Sequence, residues 1–70
     1  MDAAASLYEE VAAELEQAAA HARVSAEHFR NREIPRAAAH AWAVRGHALA
    51  AGRLLDEQAV DHARRSRPVV

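Results

Sequence analysis

The sequence predicts an all-α fold: an antiparallel two-helix hairpin that assembles, as a homodimer or larger oligomer, into a four-helix bundle. Three observations carry this expectation. Residues 2–30 contain no Gly or Pro and are rich in Ala, Glu, Leu, Gln and Arg, the strong helix formers. One break, Asn31-Arg32-Glu33-Ile34-Pro35, separates them from a second helix-forming run. Each run carries an apolar stripe at helical spacing, and the second carries an extra stripe that one partner helix cannot cover.

In the first helix, about residues 3–30, the stripe is Ala4, Leu7, Tyr8, Val11, Leu15, Ala18, Ala22, Ser25 and Phe29. Asp2 or Ser6 is placed to cap its start. Acidic residues come early (Asp2, Glu9, Glu10, Glu14, Glu16) and arginines late (Arg23, Arg30, Arg32), the order the helix dipole favours. The break, residues 31–34, combines Asn31, which tolerates the left-handed conformation that ends helices, with Pro35, suited to a first helical turn. A connection this short joins antiparallel neighbours; the competing reading is one long helix kinked at Pro35. The second helix, about 35–65, has a main face of Ile34, Ala37, Ala41, Val44, Ala48, Ala51, Leu55, Ala59 and His62, and an extra stripe of Trp42, Leu49 and Val60. Gly46 and Gly52 weaken this helix and are candidates for close helix contact. The Arg-rich tail, 66–70, is expected to be solvated. The whole chain, 1–70, reads as a single domain with no repeat array.

Composition explains why self-association is expected. Of the 70 residues 51% are hydrophobic, but 20 are alanine, so few large side chains remain for a core. A core in so short a chain is marginal and is normally reinforced by disulfides, metal or oligomerisation. With no cysteine, disulfides and thiolate metal sites are excluded. The interface residues predicted for self-association or a protein partner are Trp42, Leu49, Val60, Leu7, Val11, Leu15, Phe29 and Leu55, with Trp42 as the aromatic anchor.

A net charge of −1 and pI near 6.5 give no electrostatic match to nucleic acid or an anionic membrane. No stretch is apolar enough to span a bilayer and no secretory leader is evident, so a cytoplasmic location is expected. Every basic residue is arginine, which together with the alanine excess points to a GC-rich bacterial or phage genome. The short arginine clusters, Arg30, Arg32 and Arg36 at the break and Arg64, Arg65 and Arg67 in the tail, read as solvated.

Five histidines are the one chemical signal. His21 and His28 are seven apart on helix one; His40 and His47 are seven apart on helix two. Seven residues is about two turns, so each pair shares a face. Folding about position 34 sets His28 level with His40 and His21 level with His47, on the flank of the apolar stripes. That flank also carries Glu10, Glu14 and Gln17 on helix one and Leu54, Gln58 and Asp61 on helix two. The expected role of these imidazoles is structural. The alternative is a divalent transition-metal cofactor (Zn, Ni or Cu) held by His21, His28, His40, His47 and Glu14, and a third reading is a pH-sensitive interface. His62 reads as a favourable partner of the helix-two dipole.

No enzyme is expected, and no resident cofactor. The Glu-x-x-His of di-iron bundles, the His-Glu-x-x-His of zinc proteases and a phosphate-cradling Gly-rich loop are all missing. Ser6, Ser25 and Ser66 lack the strand-turn-helix setting of a nucleophile. The functional expectation is therefore an assembly and protein-binding module, with metal binding as its alternative.

Overall fold

A computed structural model describes residues 2–68. It contains two α-helices, α1 (Ala3–Arg30) and α2 (Ile34–Arg65), packed antiparallel as a hairpin. The long kinked helix is thereby excluded. Met1 and the last two residues of the expected tail, Val69 and Val70, lie outside the described residues.

α1 starts where Asp2 caps it. Its carboxylate accepts from the Ala4 and Ala5 amides at 3.1 and 3.2 Å, satisfying donors that have no intrahelical partner. Ser6 takes no part in the cap. Of the acidic residues expected to favour the dipole, Asp2 is the cap itself, the first turn holds none and the others begin at Glu9; His28 and Arg30 do occupy the last turn.

The reversal is tighter than predicted. It occupies 31–33 only, and Ile34 already belongs to α2. Asn31 is not the left-handed residue (φ −89); Arg32 is, at φ 57. The Arg32 amide donates to the Phe29 carbonyl at 3.1 Å and the Glu33 amide to the His28 carbonyl at 2.8 Å. This is the Schellman pairing, which requires its left-handed residue one place beyond Asn31. Pro35 sits in the first turn of α2, where its missing amide costs no helical bond.

Helix pairing follows a four-three alternation on both helices. On α1 the residues turned toward α2 are Leu7, Val11, Glu14, Ala18, His21, Ser25 and His28. On α2 they are Ala37, His40, Val44, His47, Ala51, Leu54 and Gln58, preceded by Glu33 at its N-cap. All are buried or half-buried. Two lines run along this seam. One is small and, Ser25 apart, apolar (Val11, Ala18, Ser25, Ala37, Val44, Ala51) and contains every buried side chain among the described residues. The other is largely polar and holds the histidines. The small line brings the helices close: the Ser25 hydroxyl, one bond beyond Cβ, donates to the Ala37 carbonyl across the seam at 2.8 Å.

The predicted apolar stripes are only half used. Val11, Ala18, Ser25, Ala37 and Ala51 are buried, but Tyr8, Leu15, Phe29, Ile34 and Leu55, from the same stripes, stay largely exposed. The physical reason is the width of those stripes. Two helices meet along one line, and here they meet where alanine lets the backbones approach. The glycines do not assist: a Cβ at Gly46 or Gly52 would meet open space.

Two expected outcomes test this fold. Arg32→Gly should raise stability by roughly 0.5–1 kcal/mol, because glycine holds a left-handed cap without a Cβ penalty. Ala37→Leu, at a side chain with no exposure, should lower it by roughly 1–3 kcal/mol through overpacking. Thermal unfolding followed by circular dichroism reads both.

Candidate functional site, a histidine ladder

The polar line of the seam carries the four histidines that the sequence singled out. It opens with Glu33 in the turn and proceeds through His28, His40, His21 and His47 to Glu14, alternating between the helices. The carboxylate of Glu33 accepts from His28 Nδ1 at 3.1 Å. His28 and His40 stack with centroids 5.5 Å apart. His40 Nδ1 and His21 Nδ1 lie 2.9 Å apart in a hydrogen bond, their rings tilted by 32°. His21 stacks on His47 at 5.5 Å, and His47 Nδ1 donates to the Glu14 carboxylate at 2.7 Å. Hydrogen bonds and ring stacks therefore alternate along the ladder.

Helix geometry explains the spacing. Residues seven apart on one helix are separated by about 10.5 Å. The opposing helix inserts its own ring midway, giving the 5.1–5.5 Å centroid distances. Level pairing of His28 with His40 and His21 with His47 was the sequence expectation. The reversal centres on Arg32 rather than Ile34, so the rings interleave, and each imidazole touches two partners instead of one.

Glu14 was expected on the flank of the histidines and lies beside His47. Glu33 was not. It lies seven residues before His40, as Glu14 lies seven before His21, so both helices carry the series Glu-x6-His-x6-His. The antiparallel pairing turns these series into a local pseudo-two-fold arrangement with the His21–His40 pair at its centre. Glu33 also binds Arg36 at 3.0 Å. Accepting the hydrogen bond from His28, aided by the charges of His28 and Arg36, holds the Glu33 carboxyl below its ordinary range.

The other expected flank residues divide. Leu54 and Gln58 are half-buried in the seam, whereas Glu10, Gln17 and Asp61 are exposed. Asp61 pairs with Arg65 at 2.9 Å, and His62 is exposed in the last turn of α2, where its carbonyl accepts from the Ser66 hydroxyl. Of the predicted interface residues, Val11 is buried inside the hairpin and Leu7 half-buried; Trp42, Leu49, Val60, Leu15, Phe29 and Leu55 are exposed, Trp42 by 77%. Among the described residues no group of three or more His, Asp or Glu side chains is placed to hold a metal ion. Two of the ring nitrogens face carboxylates and two face one another.

Set against protein-family models, curated proteins and solved structures, the chain shows no significant match. No helix of the described residues is long and apolar enough to cross a membrane.

The lowered Glu33 carboxyl has a pH consequence. A carboxyl depressed on folding adds stability above its ordinary value of 4.5 and loses it as pH falls through the folded value. Glu33→Gln should therefore be less stable than the parent at pH 7, with the gap narrowing as pH drops below that range. Paired thermal melts across pH 3–7 measure it; a gap that is constant with pH contradicts the assignment.

Proposed function

We propose that the chain is a non-enzymatic assembly module in which two copies pack their apolar sides together as a four-helix bundle. The observation that carries this is surface. The hairpin exposes 5730 Å², against about 4300 Å² for a compact monomer of its mass. Its radius of gyration is 16.8 Å, against roughly 11 Å for a globular chain of this length. The excess is more than the roughly 800 Å² each partner contributes to a standard interface.

The apolar side is continuous. Tyr8, Leu15, Ala22 and Phe29 follow one another every seven residues on α1, each one place beyond a seam residue (Leu7, Glu14, His21 and His28). Ile34, Ala41, Ala48 and Leu55 do the same on α2. In an antiparallel hairpin these positions fall on the same flank of the seam, and Tyr8 and Leu55 do line one groove there. The small apolar line lies directly beneath, so a second hairpin on this side turns it into the centre of a four-helix core. A second copy is the occupant of choice because its side is the same repeating series of apolar residues, self-complementary about a two-fold axis. The Trp42, Leu49 and Val60 stripe then stays on the outside of the bundle, where its indole is the anchor for a further protein partner.

The metal reading draws on the same histidines but has weaker support. His28 and His47 commit Nδ1 to carboxylates, and the His21 and His40 nitrogens face each other along a hydrogen bond instead of converging on a third point. Pairing through the apolar side would also keep the ladders of two copies apart.

Native mass spectrometry of protein purified without added metal separates these readings. A metal-free dimer is expected. Leu15→Glu combined with Leu55→Glu should weaken it by about 100-fold or more, since each leucine loses roughly 1.5–3 kcal/mol of burial, whereas Trp42→Ala should leave it intact. A monomer at high micromolar concentration, or dissociation by Trp42→Ala alone, overturns the interface; a mass excess of one or two metal ions favours the alternative.

A further inference from the structure

We propose that the two hairpins of the bundle lie with their turns at opposite ends, α1 running antiparallel to α1 of the second copy about a two-fold axis that crosses it at Ala19. This rests on the assembly reading and deepens it, fixing which residues of the two copies meet.

Two kinds of two-fold axis bring the apolar sides of two hairpins face to face. An axis parallel to the helices sets both turns at one end and lays α1 on α2 of the second copy. An axis perpendicular to the helices, lying in the interface, sets the turns at opposite ends and lays each helix on its own copy. Residues seven apart share a helix face, and beyond the Tyr8 series α1 presents two more such series on this side. The nearer is Ala12, Ala19 and Ala26; the outer rim is Glu9, Glu16, Arg23 and Arg30.

Charge chooses between the axes. Along the rim α1 reads acid, acid, base, base. With the turns at opposite ends, Glu9 comes level with Arg30 of the second copy and Glu16 with its Arg23, which symmetry doubles. All four side chains are exposed. Glu9, Glu16 and Arg23 have no ion-pair partner among the described residues, and Arg30 has only Glu27 on its own helix. With the turns together the match is lost. Tyr8 and Leu55 line one groove, so the next residues, Glu9 and Asp56, are also level, and each Glu9 would face an acidic Asp56 of the second copy.

Packing agrees. Stepping by sevens from Tyr8 and Leu55, the apolar side is built of four layers: Tyr8 with Leu55, Leu15 with Ala48, Ala22 with Ala41, and Phe29 with Ile34. Turns together would stack the Ala22 and Ala41 layer on itself, four alanines around a void, and crowd Phe29 and Ile34 against their own copies. Opposite turns set Leu15 over the alanine layer and the two large end layers over each other, which evens the core volume. The midpoint of Leu15 and Ala22 is level with that of Ala41 and Ala48, so one axis serves both helices. Alanine at positions 12, 19 and 26 lets the two α1 backbones approach. Arg45 is the one cation this arrangement sets beside its own copy; it is exposed, and its stem is long enough to carry the charge out to water.

Cysteine cross-linking tests this in the full chain, which has no cysteine of its own. A disulfide needs Cα atoms within about 7 Å. Ala19→Cys should link into a covalent dimer on mild oxidation. Ala12→Cys and Ala26→Cys should each link poorly alone and readily when mixed. Glu9→Arg combined with Glu16→Arg should weaken the dimer by about tenfold or more, and adding Arg23→Glu with Arg30→Glu should restore it. A dimer by native mass spectrometry that does not link through Ala19→Cys, or whose affinity the added reversals do not restore, overturns the orientation and leaves the assembly reading standing. A monomer overturns both.

Discussion

The three-residue reversal at 31–33 is the constraint on which the rest of the hairpin depends. Both helices repeat their seam residues every seven positions, so the turn alone decides which residues of α1 meet which residues of α2. A Schellman closure with Arg32 left-handed brings α2 in at Ile34 and offsets the helices by half a repeat. That offset is what interleaves the rings. A turn longer by a few residues would set imidazoles level and strand the carboxylates. The motif usually has an apolar contact between the residues flanking it; here those residues are His28 and Glu33, and the contact is the first rung of the ladder. Turn and ladder therefore fix the same register twice, once through the backbone and once through side chains.

The two lines of the seam divide the labour. Alanine, valine and serine on one line permit close approach and leave little area to bury, so they supply geometry more than stability. The polar line supplies specificity. Half-buried imidazoles and carboxylates have hydrogen-bond needs that only one register meets, and no buried side-chain nitrogen or oxygen among the described residues lacks a partner. A sliding or parallel pairing would leave those groups unsatisfied at a cost of about 1–3 kcal/mol each, whereas an all-leucine line would tolerate several alternatives. Buried polar positions in paired helices are best attested in this register-setting role.

Much of this was legible in the residues. Helix-forming composition placed both helices almost to the residue, and seven-residue spacing placed His21, His28, His40 and His47 together on one flank. Three things were not legible, each for a definite reason. Arg32 as the left-handed residue defied the preference for glycine or asparagine, because the cap is set by hydrogen-bond pattern and not by the most permissive side chain. Glu33 was assigned to the break, and so its place seven residues before His40 went unread, although Glu14 already showed the same spacing on α1. The exposure of Leu15, Phe29 and Leu55 escaped a stripe argument, because a stripe tells which residues are apolar together but not which edge of it the neighbouring helix takes.

That last point ties the two sides of the molecule together. The apolar stripes are centred on the small line and its outer flank, yet the helices meet off that centre, toward the histidines. Ring stacking and five hydrogen-bonded or stacked rungs pull the seam to the polar edge, and close alanine packing makes the shift inexpensive. The consequence is geometric: each helix keeps one unpartnered apolar edge, both edges lie on the same flank, and the polar groups are gathered on the other. A hairpin held by leucines at the same positions would have closed over its own apolar surface. By pairing through histidine and carboxylate instead, this chain stays a hairpin whose hydrophobic side remains open, and its register and its open apolar side then trace to a single choice of residues at every seventh position.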